Sequence, residues 1–272
     1  MNQPRVIELW IYPIKSCRGI QVQKLEIDAC GPKYDRQWMI VDDANKFMTL
    51  RNQSHLALIK TQMDNENLFV SFDAQTFSIS LNIEPQKTEI VTVWADSFLA
   101  GIEADEINNA LTEFIGEKVK LVRYQKESFR DLKAASTDVI SQMRFADSRP
   151  ILLTNENSLK DLNEKLLKLD LEPSVMERFR ANIIITGVDA FSEDQANQVK
   201  VGPIQLVNPK LCSRCPVITQ DVTTGKVVSK ETLLTLAQYR KINGNKVMFG
   251  VNYTPANTGV ILINDVIQFS HC

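Results

Sequence analysis

Between Val6 and Trp94 the apolar residues come in short runs, each closed by polar or turn-forming residues, with no helical period between them. The runs are Val6 to Pro13, Val22 to Asp28, Gln37 to Asp43, Leu58 to Met63, Leu68 to Phe72, Phe77 to Leu81 and Glu89 to Trp94. Spacing of this kind predicts antiparallel sheets or a barrel. It argues against a βαβ arrangement, which places a helix between successive strands.

The pattern then changes. Ile107, Leu111, Phe114 and Ile115 recur at helical spacing over about Asp105 to Ile115, and Gly116 is a stop signal. A strand is expected at Val119 to Val122, followed by a polar surface loop from Gln125 to Ser148. Long loops in compact domains are often functional. Ile151 to Leu153 reads as a strand, with Thr154 or Asn155 capping a helix that carries Leu159, Leu162, Leu166 and Leu169 on one stripe. Asn182 to Gly187 reads as a buried strand, and Val217 to Thr219 as another. Gly225-Lys226 sits as a hairpin turn between Val222 and Val227, and a helix is expected over Glu231 to Arg240. Two last strands lie near Val247 to Tyr253 and Gly259 to Phe269. The change from strand-only to mixed patterning, near residues 95 to 105, divides the chain into 1–100 and 101–272.

Charge limits the partners. The 272 residues carry a net charge of -2, with a sequence pI near 5.8. Nonspecific nucleic-acid binding needs a basic surface, so no nucleic-acid partner is expected and any positive site must be local. No window is apolar enough to span a bilayer, and Gly259 to Ile263 stops at Asn264 and Asp265, so no membrane partner is expected. With no secretory pattern at the N-terminus and five cysteines without disulfide-like spacing, reduced thiols and a cytoplasmic location are expected.

Soft ligands are few, because the chain has only two histidines. Cys212-Ser213-Arg214-Cys215 therefore stands out. A closed zinc site needs four nitrogen or sulfur ligands, and no second pair is spaced to supply them. A thioredoxin-like pair would sit in a βαβ pattern, which is absent. Two readings stay open: small buried cysteines in a strand, or one thiolate completing a metal held mainly by an organic cofactor. Lys15-Ser16-Cys17-Arg18-Gly19 follows a strand and can form an anion cradle, or a solvated turn. Arg36, Arg51, Arg149 and Arg180 each precede an apolar strand, where arginine binds phosphate bidentately or forms a surface ion pair; Asp35 and Glu177 are the nearby acids. Asp189 follows the buried strand and reads as a general acid or base, or as an ordinary loop aspartate. Trp10, Trp38 and Trp94 fall on strand patterns as core aromatics.

In order, these segments resemble a known family. Leu9 to Gly19, Asp35-Arg36-Gln37-Trp38 and Thr49-Leu50-Arg51 resemble the β-barrel domain that precedes MOSC domains. Phe145 to Pro150, Ser158 to Asn163, Phe179-Arg180-Ala181-Asn182 and Cys212 to Cys215 resemble the MOSC domain itself. The nearest pattern is that of the mitochondrial amidoxime-reducing components and the bacterial hydroxylaminopurine reductases. The resemblance implies a mainly β fold with α+β elements: an N-terminal β-barrel-like domain, then a MOSC β-barrel domain with peripheral helices. It also implies a molybdenum cofactor (Mo-molybdopterin), a pterin whose dithiolene holds the metal and whose phosphate needs cations.

Carried over by motif, Cys215 is the metal ligand and catalytic centre, Asp189 acts near the substrate, and Cys212 has no assigned role. Lys15, Ser16, Arg36, Ser148, Arg149, Arg180, Asn182, Ser213 and Arg214 bind the cofactor. The implied activity is reduction of N-hydroxylated or N-oxygenated small molecules, a form of detoxification. Some relatives carry a four-cysteine iron–sulfur domain, and this sequence lacks that spacing, so electrons are expected from a separate ferredoxin- or flavoprotein-type donor. MOSC domains also end cofactor sulfurases, so a sulfur- or cofactor-carrier module is the alternative. A binding protein that kept the fold and lost the metal is a third possibility.

Overall fold

The computed structural model describes residues 3–125, 128, 131–132, 141–242 and 244–270. Among them the chain is mainly β, with three α-helices at the periphery. Strand pairing follows open paths rather than closed rings.

The largest sheet has nine strands. Eight run in the order Ile20–Val22, Arg5–Ile11, Ile183–Thr186, Ile151–Asn155, Lys246–Pro255, Ile204–Ser213, Gln198–Val201 and Ile267–Ser270, and Lys241–Ile242 joins the edge of Lys246–Pro255. Its pairs are antiparallel except Ile151–Asn155 with Ile183–Thr186. A parallel pair needs a long crossover, which helix α2 (Glu156–Leu167) supplies. The strand Arg5–Ile11 comes from the other end of the chain, with Val6 opposite Ile185 and Leu9 opposite Ile183. Its C-terminal end therefore delivers Tyr12 to Gly19 beside Arg180 and Asn182.

Apolar runs in this sheet are buried on both faces, as strands covered on each side must be. Ile151, Leu153, Ile183 and Ile185 join one cluster with Val251 and Tyr253. The alternate residues Leu152 and Ile184 join another with Phe179 and Phe249, under Leu162 and Leu166 of α2 and Leu236 of α3 (Glu231–Tyr239). A second sheet pairs Trp38–Asp42, Val119–Tyr124, Asp96–Ile102 and Lys87–Val93. Helix α1 (Asp105–Ile115) buries Ile107, Leu111 and Ile115 in the same cluster as Trp38 and Leu121. Gly116 ends α1 at φ +83°, the left-handed stop that glycine permits.

Several expectations are corrected. The strand Asp96–Ile102 was not foreseen. It returns through a two-residue turn, with Asp96 opposite Val93, and Trp94 there has φ +57°. Such turns favour Asn-Gly, so Trp94-Ala95 gave no signal. Trp94 is also half exposed rather than a core aromatic. Pro216–Thr219 is a 3₁₀ turn instead of a strand, because proline has no N–H to offer a ladder. Gly225 does turn the chain at φ +67°, but the flanks share only one bridge, Gln220 with Val227. Asn155 is the residue that caps α2; the helix stops at Leu167, so Leu169 is exposed. Half of the loop expected from Gln125 to Ser148 lies outside the described residues, and the described half includes one short pair, Asp131–Leu132 with Ser141–Gln142.

Candidate functional site

Seven separate segments converge on one cavity of about 330 Å³. Its wall carries Lys15, Arg36, Arg51, Arg149, Arg180, Lys210, Arg214 and Lys246, against a single carboxylate, Asp147. The Cys212 and Cys215 side chains line the same space, as do Ser16, Ser148, Asn182 and Ser213. Every residue expected at the site is thus brought together except Asp189. The dispersed arginines at strand mouths form one cationic wall because the Arg5–Ile11 strand sits beside Ile183–Thr186.

The wall is held by a buried network. Asp35, itself buried, accepts from the Tyr12 backbone N–H (2.8 Å), from Asn182 Nδ2 (3.0 Å) and from Arg36 Nη1 (2.5 Å). Asn182 Oδ1 accepts from Arg36 (3.3 Å) and from the Leu152 N–H (3.1 Å). The Asn182 amide is therefore engaged within the protein and orients Arg36. Arg36 and Arg180 both lie over the Tyr12 ring, at 4.5 and 4.3 Å, and Arg180 Nη1 donates to the Cys17 carbonyl (2.8 Å). Burial, reinforced by Arg36, draws the Arg180 pKa down to about 10. It stays charged at neutral pH, at a desolvation cost that an anion would relieve. Ser16, Arg36 and Arg180 all have positive φ, at 68, 47 and 55°. Each such non-glycine residue costs about 1–2 kcal/mol, and strain of this kind clusters at functional sites.

Four buried polar atoms on the wall have no hydrogen-bond partner among the described residues: Ser148 Oγ, Arg149 Nε, Arg180 Nη2 and Arg214 Nε. Buried polar groups are normally paired. Donors left open beside surplus positive charge fit an oxygen-rich anion.

The two cysteines differ in their surroundings. Arg214 Nη1 lies 2.9 Å from Cys212 Sγ and its Nη2 donates to the Phe179 carbonyl (2.7 Å). Cys215 instead meets Arg51: burial works against the Arg51 charge, but the hydrogen-bonded Cys215 sulfur and the Asp147 carboxylate raise its pKa. Arg51 was visible in the Thr49-Leu50-Arg51 motif but was not counted among the site residues. Asp147 lay in the Phe145 to Pro150 motif but was likewise not counted among the site residues. Asp147 is half exposed, and the Lys15 and Arg51 charges hold its carboxyl well below the usual range. Lys15 pairs with it and also donates to the Phe145 carbonyl (2.8 Å). Trp94 Nε1 donates to Asp147 (3.2 Å), and Arg51 lies 5.0 Å from the Trp94 ring. The strained turn at Trp94 thus reaches the cavity wall. Lys210 and Lys246 had no sequence signal. Within the expected anion cradle, Cys17 is buried, with its thiol pushed up to about 12, and Arg18 turns away to the Ala57 and Thr223 carbonyls. Among the described residues no group of three His, Cys, Asp or Glu side chains is placed to hold a metal.

Asp189 lies beyond the opposite end of the Ile183–Thr186 strand from Asn182, exposed and outside the cavity wall. What that end holds is a buried carboxyl, Glu193, which accepts from Ser158 Oγ (2.9 Å) and Asn155 Nδ2 (3.2 Å). Burial pushes Glu193 from 4.5 up to about 7. Between those pH values the group is neutral when folded and ionised when unfolded, so stability falls as pH rises through this window and levels off above it. The loss is about 3 kcal/mol. Glu193→Gln is expected to flatten this slope, seen as a higher melting temperature at pH 8 and little change at pH 4.5.

The profile of the MOSC N-terminal beta barrel domain matches residues 3–118, and that of the MOSC domain matches residues 141–268. Human mitochondrial amidoxime-reducing component 1 is 31% identical over 281 residues, covering 96% of this chain and 82% of that protein. The chain belongs to the MOSC family. Human mitochondrial amidoxime reducing component 2 is 27% identical over the same coverage of each chain. The molybdenum cofactor sulfurase of Oryza sativa subsp. japonica is 29% identical over 89% of this MOSC chain, which spans 31% of that longer protein. No helix among the described residues is long and apolar enough to cross a membrane.

Proposed function

We propose that this MOSC protein is a molybdenum-cofactor-dependent oxidoreductase that reduces N-hydroxylated compounds of the amidoxime or hydroxylaminopurine type. One observation carries the reading: the Cys215 thiol opens into a cavity whose cationic wall includes four buried, unpaired polar atoms. The amidoxime-reducing names of its full-length relatives agree with it.

A Mo-molybdopterin fits these residues. Cys215 would ligate the metal, and Lys15, Arg36, Arg149, Arg180, Arg214 and Ser148 would meet the oxygens of its phosphate and pterin. When bound, the group supplies a two-electron redox centre able to accept oxygen. The net reaction takes one N–OH, two electrons and two protons to one N–H and one water. The residues of the chain bind and orient. Asp147 is held ionised by Lys15 and Arg51, so it fixes Trp94 and the two cations and does not donate a proton. Arg51 sets its guanidinium against the Cys215 sulfur. Electrons come from a separate ferredoxin- or flavoprotein-type donor. The four cysteines described are all free thiols, and the location proposed is cytoplasmic.

A second reading has its own observation. Cys212 lies in the same cavity with Arg214 at its sulfur, and a sulfurase is among the relatives. A persulfide or cofactor carrier would use that thiol.

Protein made in a cofactor-competent host tests both. Close to stoichiometric molybdenum, with reduction of an amidoxime by a chemical reductant, is the expected result. Persulfide on Cys212 without metal replaces it with the carrier reading. Neither metal nor persulfide, with no N-reduction, overturns both.

A further inference from the structure

Trp94 has no place in the core. It belongs to none of the four buried clusters, and 51% of it is open to solvent. We infer that Trp94 is a specificity-determining residue, an aromatic lip at the mouth of the cavity. It selects compounds whose N–O group is carried on an aryl ring over those that carry it on an alkyl chain. The inference rests on the proposed activity and narrows its substrate class.

The mouth is marked by the lining residues that reach solvent: Arg51, Asp147, Lys210, Ser213 and Lys246. Trp94 stands on the Arg51 and Asp147 side of it. Its Nε1 donates to Asp147 Oδ1 (3.2 Å), and Arg51 Cζ lies 5.0 Å from the centre of the ring. The same Arg51 is hydrogen-bonded to the Cys215 sulfur. One guanidinium therefore separates the indole from the thiol. Phe47 holds the ring from another direction, 5.0 Å away and tilted by 58°, and Lys15 Nζ lies over Phe47 at 5.5 Å. Three neighbours fix the indole, and half of it still faces water.

The backbone shows that the ring is placed at a cost. Val93 and Asp96 are opposite each other in the ladder, so Trp94 opens a two-residue turn, and it does so at φ +57°. Asparagine or glycine adopts that conformation more readily. Burial does not offset the strain, because the side chain is outside the core. Strain held in this way points to function. The exposed surface then indicates what is selected. An aryl group packs against an indole edge-to-face or offset, with an attraction beyond the area it buries. An alkyl chain gains only from the area. The other exposed lining residues besides Arg51 and Asp147 are Lys210, Ser213 and Lys246. None carries a ring, so the selection falls on Trp94.

The experiment compares benzamidoxime with acetamidoxime as substrates of cofactor-loaded wild type, Trp94→Leu and Trp94→Phe, with molybdenum content and melting temperature taken on each sample. Wild type is expected to favour the aryl compound in kcat/KM. Trp94→Leu keeps an apolar side chain without a ring. It should lower the aryl-to-alkyl ratio about tenfold, mostly through KM for benzamidoxime. Trp94→Phe should keep most of the ratio. Loss of a merely structural ring, by loosening Arg51 or Asp147, would slow both compounds alike. That result, a folded and loaded Trp94→Leu protein with the wild-type ratio, or a wild type without aryl preference overturns the inference. Calorimetric titration of both compounds into the same proteins needs no turnover. If wild type carries no molybdenum or reduces neither compound, the proposed activity falls and the titrations alone decide. Benzamidoxime bound more tightly than acetamidoxime, by a margin lost in Trp94→Leu, leaves the lip standing. Equal or absent binding removes it.

Discussion

Cys215→Ala protein from a cofactor-competent host is expected to lose nearly all its molybdenum and its N-reducing activity while keeping its fold. The reason is local. Cys215 is half-buried at the start of the Pro216–Thr219 turn and belongs to none of the four buried clusters. Removing one sulfur there should move stability by no more than about 0.5 kcal/mol. A metal held as proposed would lose its protein sulfur, since Cys212, the other thiol of the cavity, is engaged by Arg214. Metal analysis with a melting curve on the same sample separates loss of ligation from loss of fold. Full molybdenum content in the variant would falsify the assignment of Cys215, and Cys212→Ala would then be the variant to follow.

Asp35→Ala should have the largest effect on stability. Asp35 is almost wholly buried and Arg36 nearly so. The carboxylate also accepts from the Tyr12 N–H and from Asn182. Removing it leaves Arg36 buried beside Arg180 with no carboxylate between them, and leaves a backbone donor unpaired. Breaking such a pair from one side costs about 3–5 kcal/mol, a large part of the 5–15 kcal/mol that holds a typical protein folded. Asp35→Asn keeps the shape and one acceptor, so it should cost less. Urea unfolding is the measurement, with the midpoint falling sharply for Ala and the slope unchanged. Cofactor content should fall with stability, because this network aims the wall. A midpoint near wild type would mean that the two arginines are satisfied from elsewhere.

Local order was legible in the sequence where it is made locally. The spacing of Ile107, Leu111 and Ile115, with Gly116 behind them, is sufficient to place α1. The alternation of apolar residues places most strands. The site was legible as scattered cations before strands, and Arg36, Arg149 and Arg180 do share one cavity. What no window of sequence contains is the pairing of Arg5–Ile11 with Ile183–Thr186, since nothing in either strand names its partner. Arg51 shows the same gap: its motif was plain, but only the folded chain brings it to Cys215. Asp189 shows the converse. It follows a buried strand, and whether a strand's end faces the cavity depends on direction, which residue order alone left open. Trp94 was missed because its turn uses a conformation that its residue type disfavours.

The insertion of the first strand has a consequence in time. Val6 must wait for Ile185 to leave the ribosome, and at about 5–20 residues per second that delay is roughly 10–35 s. Throughout that interval the amino-terminal strand can pair only with the short Ile20–Val22 strand, and its other edge is open to chaperones and to other nascent chains. The cysteine that would take the metal is translated later still. A polypeptide that stops short of Lys246 and Asn252 lacks part of the cavity wall, so the proposed prosthetic group would be loaded late.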